Sequence, residues 1–72
     1  MAAYANRLKQ IRKEKLIMAK VLAETLHITY RTYQKYETGE IDPPTSKLIT
    51  LADYFDVSLD YLVGRSMDPQ RR

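Results

Sequence analysis

Apolar side chains recur along this chain at steps of three and four, the repeat of helices buried on one face. Tyr4, Leu8 and Ile11 open the pattern with basic residues between them, which predicts a first helix from about Tyr4 to Lys15. Ala19, Leu22, Ala23 and Leu26 form a second set, and Tyr33 with Tyr36 a third. Thr29 stands where a hydroxyl accepts from the free amides of the third helix, and Gly39 where a left-handed residue stops it. Pro43-Pro44 cannot continue a helix; Thr45 or Ser46 then caps a fourth, carrying Leu48, Leu51, Ala52 and Phe55. Asp56-Val57 ends that helix, and Ser58 caps a short fifth with Leu59 and Leu62. Asp60 suits the positive end of its dipole, and Gly64 closes it. No stretch alternates with period two. The fold class is therefore all-α, five short helices around one core.

Seventy-two residues hold one such domain, read as 1–65, followed by a polar, proline-containing tail over 66–72 that reads as flexible. Cysteine is absent, which removes disulfides, thiolate metal sites and cysteine nucleophiles together. No apolar run reaches membrane-spanning length and the start MAAYANRLKQ has no signal-peptide stretch, so the expected setting is cytoplasmic. With one histidine, His27, no glycine-rich phosphate loop and no nucleophile–base pair in view, an enzyme is the weakest class. No cofactor or metal site is indicated.

Charge separates two regions. Residues 1–35 carry eight basic side chains (Arg7, Lys9, Arg12, Lys13, Lys15, Lys20, Arg31, Lys35) against Glu14 and Glu24. Residues 36–64 carry Lys47 against Glu37, Glu40, Asp42, Asp53, Asp56 and Asp60. The first region suits a polyanion and the second would be repelled by one. On charge alone, solvated helix faces are the slightly better account, and the helix-turn-helix pattern tips the balance.

The informative unit is Ala19–Thr38: two short helices about a tight corner, the pattern of a helix-turn-helix. Ala23 must be small because the third helix crosses the second there. Leu22, Leu26, Ile28, Tyr33 and Tyr36 must be apolar to fill the angle between them. Tyr30, Arg31, Gln34 and Lys35 then remain on the outer face of the third helix.

Four segments carry a resemblance to the lambda-repressor-like (Cro/CI, XRE-type) helix-turn-helix DNA-binding domains: NRLKQIRKEK, LAETLHIT, TYQKYETGE and IDPPTSKLITLADYFDVSLDYLVGR. Together they span roughly residues 6–65 in the family's order. The resemblance implies that the helix opening at Thr29 lies in the major groove of double-stranded DNA. Tyr30, Arg31 and Lys35 match its base-reading positions, with Gln34 beside them. Arg31 is foremost, since a guanidinium bonds bidentately to guanine. Ala19 and Lys20 match the helix end that meets the sugar–phosphate backbone. Arg7, Lys9, Thr32 and Thr38 are further phosphate candidates. Arg12 and Glu37 match a partly buried ion pair that fixes the recognition helix to the scaffold. The family further implies a homodimer on a palindromic site, acting as a repressor, activator or antitoxin-type autoregulator. Leu59, Tyr61 and Val63 with the loop Glu40–Pro44 are the expected dimer surface.

Three positions depart from the family pattern. Met18-Ala19 replaces a polar cap and glutamine, which loses a side-chain phosphate contact and leaves Ile17 and Met18 as exposed hydrophobes. His27 replaces the usual corner glycine and reads as a tolerated turn residue. Tyr30, Tyr33 and Tyr36 recur every three residues; the latter two belong to the core with hydroxyls at its rim, whereas Tyr30 projects outward. These departures sustain a rival reading, a protein–protein adaptor or an antitoxin-type partner of a regulatory protein that retains the fold with weak or no DNA binding. Arg31, Lys35 and the basic first region oppose it.

Overall fold

The computed structural model describes residues 3–65 and 67–70, with side chains from Arg7 onward. All regular structure among the described residues is helical: α1 (Ala3–Glu14), α2 (Ala19–Thr25), α3 (Tyr30–Thr38), α4 (Thr45–Phe55) and α5 (Leu59–Leu62). The side chain of Tyr4, counted above in the first apolar face, and Ser66, Arg71 and Arg72 of the tail lie outside the described residues.

One core joins the five helices. Leu8 and Ile11 of α1 meet Leu22, Ala23 and Leu26 of α2, Tyr33 and Tyr36 of α3, Leu51, Ala52 and Phe55 of α4, and Val57 and Leu62. α1 packs on α3 and α5, α2 on α3, and α4 chiefly on α5. Ala23 of α2 is buried in this core, and α2 packs on α3, so a larger side chain there would disturb the packing.

Helix ends repeat one device. Leu16 (φ 57°), His27 (φ 58°), Asp56 (φ 58°) and Gly64 (φ 82°) each take the left-handed conformation after a helix. At each, the following amide reaches back five residues: Ile17 N to Arg12 O, Ile28 N to Ala23 O, Val57 N to Ala52 O and Arg65 N to Asp60 O. These bonds satisfy carbonyls that the helix leaves open. At the first three ends the next residue is β-branched and turns inward, Val57 into the core and Ile17 and Ile28 against it.

That geometry corrects one expectation. Ile17 is half-buried, and the exposed pair is instead Leu16, at 91%, with Met18. A second correction concerns α4: its N-cap is Pro44, whose carbonyl accepts from Lys47 N and Leu48 N, and Thr45 is already helical. Proline's fixed φ lets it precede a helix without a side-chain cap. Thr29 and Ser58 cap α3 and α5 through their hydroxyls, which accept from Thr32 N and Tyr61 N. Beyond α5, Ser58 N donates to Pro69 O at 2.9 Å, returning the chain to the start of that helix. Among the described residues, no helix is long and apolar enough to cross a membrane.

Candidate nucleic-acid interface

α3 has two unlike faces. Tyr33 and Tyr36 point inward, their rings edge to face with centroids 6.4 Å apart. Tyr30, Arg31 and Gln34 face solvent, Tyr30 at 50% exposure. The hydroxyl of Tyr33 does not reach the rim. It donates to Glu37 Oε2 at 2.7 Å, inside a partly buried network.

Arg12 of α1 completes that network. Its Nε donates to Glu37 Oε2 at 2.6 Å and its Nη2 to Oε1 at 3.2 Å, a two-pronged pairing. Nη1 donates to Ile17 O at 3.2 Å, so one guanidinium holds both α3 and the α1–α2 connection. The Glu37 hydrogen bond raises the Arg12 pKa above its ordinary value, against a smaller opposing effect of burial. Burial foremost, then the bond to Glu37, lifts the Tyr33 phenol well above the usual tyrosine range. Both groups therefore hold their protons, and α3 is fixed to α1 by a carboxylate that accepts three hydrogen bonds.

The predicted site residues fall into three settings. Ala19 and Lys20, at the start of α2, line one open hollow of about 610 Å³ with Met18, Arg12 and Tyr30. The expected backbone-facing end of α2 thus adjoins the expected base-reading start of α3. Arg31, Gln34 and Lys9 are exposed.

Four others have partners close in space. Lys35 Nζ lies 3.6 Å from Glu40 Oε2. Thr32 Oγ1 accepts from Thr29 Oγ1 at 3.0 Å, and Thr38 Oγ1 donates to Lys35 O at 3.2 Å. The Arg7 guanidinium sits 4.7 Å above the Tyr61 ring centroid, and Nη2 lies 3.9 Å from Met67 Sδ. Arg7 is thereby drawn to the α1–α5 side. Its distant partners left no signal in the local sequence, since Tyr61 and Met67 are 54 and 60 positions away. Glu40, which tethers Lys35, was legible as one acidic residue of the second region and no more. Among the described residues, no group of three or more histidine and acidic side chains is placed to hold a metal ion.

Comparison with known proteins places this geometry. A helix-turn-helix family profile matches residues 8–62. The HTH-type transcriptional regulator YobD of Bacillus subtilis is 41% identical over 66 residues, covering 92% of this chain and 59% of that protein. The cryptic phage CTXphi transcriptional repressor RstR of Vibrio cholerae is 38% identical over 61 residues, covering 85% and 51%. The chain thus spans little more than half the length of these relatives. A transcriptional regulator from Listeria innocua superposes with a TM-score of 0.80 at 41% identity, covering 85% of this chain and 57% of its own. The P22 c2 repressor, solved with a synthetic operator, superposes at 0.79 with 21% identity, over 92% of this chain and 100% of its own, a likeness of fold. The chain belongs to the XRE-type helix-turn-helix family.

Proposed function

We propose that this chain is a sequence-specific regulator of transcription that binds double-stranded DNA through α3, as a cytoplasmic protein without enzymatic activity. One observation carries the reading: α3 offers Tyr30, Arg31 and Gln34 to solvent while Tyr33, Tyr36 and Glu37 lock the same helix to the scaffold. A helix held from behind and polar in front is suited to the major groove. In this reading Arg31 bonds to guanine, and Tyr30 and Gln34 contact neighbouring bases. Lys35 joins them once DNA displaces Glu40. Lys9, Lys20 and the amide end at Ala19 meet phosphates, with Thr32, Thr38 and Arg7 at the margin. The relatives' names support regulation, and RstR's supports repression. We further propose a homodimer on a palindromic operator, its recognition helices about 34 Å apart.

The test is competition binding. Duplex DNA from upstream of the chain's own coding region is titrated with unrelated duplex as competitor, at physiological salt. Preference for the upstream duplex is expected, and equal affinity for both would sink the reading. The adaptor reading draws on exposed Met18 beside the hollow. It is favoured if the folded protein binds neither duplex.

A further inference from the structure

Lys47 is the one basic residue among residues 36–64, and it occupies the first turn of α4, where the local helix dipole disfavours a cation. Its ammonium is used elsewhere. Nζ donates to Leu26 O at 2.6 Å, a partly buried contact across 21 positions of sequence. Leu26 is the last residue of the α2 end before the corner, and its side chain is buried.

The corner amides are committed to earlier carbonyls: Leu26 N to Leu22 O, His27 N to Glu24 O and Ile28 N to Ala23 O. Among the described residues no backbone amide reaches Leu26 O, so the lysine supplies its donor. The cation also meets the negative end of α2, a favourable pairing in partly buried surroundings. α4 packs chiefly on α5, so this bond is a direct polar tie between α4 and the helix-turn-helix corner.

We propose that Lys47 is a positioning residue for DNA recognition. It fixes the corner from behind and so sets the angle at which α3 leaves α2, without touching DNA itself. The inference rests on the DNA-binding reading above. A change of angle at the corner displaces the base-reading side chains of α3, whereas contacts to phosphate tolerate the displacement better. Loss of the bond should therefore weaken specific binding more than non-specific binding.

The experiment compares the wild-type chain with Lys47→Met and Lys47→Arg on upstream and unrelated duplex over a series of salt concentrations. Binding is read at a temperature where each variant's far-UV spectrum matches wild type, and Lys47→Gln replaces the methionine variant if that one does not fold. Lys47→Met should lose about tenfold on the upstream duplex, the scale of a lost charge-assisted hydrogen bond. Its affinity for unrelated duplex and its salt slope should stay unchanged. Lys47→Arg, which retains a cationic donor, should keep most of the specific affinity. A salt slope lowered by about one in Lys47→Met would make Lys47 a phosphate contact and overturn the proposal. Unchanged discrimination in Lys47→Met, whatever its melting temperature, would reduce Lys47 to a structural role and overturn it too. A wild-type chain that does not discriminate between the duplexes defeats the DNA-binding reading itself, an outcome visible before any variant is compared.

Discussion

Glu37 accepts from three donor atoms on two side chains: Nε and Nη2 of Arg12 and the hydroxyl of Tyr33. Its removal strands a guanidinium whose side chain is only 16% exposed, and it leaves the phenol without an acceptor. Glu37→Ala should cost about 2–3 kcal/mol, less than a fully buried pair because some water access remains. For a chain this small that is a fall of roughly 10–20 °C in the thermal midpoint, read by circular dichroism. An unchanged midpoint would remove the structural role assigned to the pair. Tyr33 adds a pH dependence with a definite sign. Its folded pKa is raised, by burial first and by Glu37 second, so the folded state keeps the proton more tightly than the unfolded chain does. The associated stability is present below the ordinary tyrosine pKa of about 10 and is lost progressively as pH rises above it. Thermal midpoints at pH 8 to 11 should fall more steeply in wild type than in Tyr33→Phe. Parallel slopes would show that other groups carry the alkaline loss.

Among the elements, the caps with dedicated residue types were the ones legible in the sequence. Thr29, Ser58 and Gly39 each have a side chain, or lack one, that suits a helix end, and each stands there. His27 at the corner was legible from the family pattern and takes the left-handed geometry. The end of α1 was legible in position, within one residue, but not in the geometry of its turn. Leu16 is a poor left-handed residue, and its conformation is imposed by the next residue, with Ile17 turned against the core and Ile17 O held by Arg12. Tertiary contacts set that turn, so a local reading placed Ile17 in solvent. The start of α4 failed for a related reason, because Pro44 serves as N-cap with no side-chain bond for a sequence reading to find. The candidate interface divides the same way. The outward face of α3 follows from helical spacing, whereas the ties of Lys35 to Glu40 and Arg7 to Tyr61 depend on packing between separate segments. Two variants test the helix ends. Thr29→Ala should cost about 1 kcal/mol, because it removes the acceptor for Thr32 N. Leu16→Gly should instead stabilise the fold by roughly 0.5 kcal/mol, since relief of the left-handed penalty exceeds glycine's greater unfolded entropy. A lower midpoint for Leu16→Gly would show that the leucine side chain contributes packing despite its exposure.

For the whole molecule, the distribution of charge and the placement of α3 have to be weighed together. The formal net charge is only +3, too small to hold a polyanion without some concentration of cations on one side. Lys9, Lys20 and Arg31 are exposed, and Lys20 shares a hollow with Tyr30 at the start of α3. The acidic residues fall mainly in the later region, and Glu40 partly neutralises Lys35 at the end of the same helix. If α3 enters the groove start-first, Lys20 lies beside the contact and Glu40 at the far end of the helix. Electrostatic attraction and base readout should then separate on mutation. Lys9→Ala and Lys20→Ala should each weaken upstream and unrelated duplex alike and lower the salt slope by about one. If Arg31 reads guanine as proposed, Arg31→Met should cost about 1–3 kcal/mol on the upstream duplex and much less on unrelated sequence. Fluorescence anisotropy over roughly 50 to 200 mM salt, a range in which phosphate contacts change affinity by orders of magnitude, resolves the two patterns. If Arg31→Met weakens both duplexes equally and lowers the slope as the lysine variants do, Arg31 is a phosphate contact. Specificity must then come from Tyr30, Gln34 and the shape of the DNA.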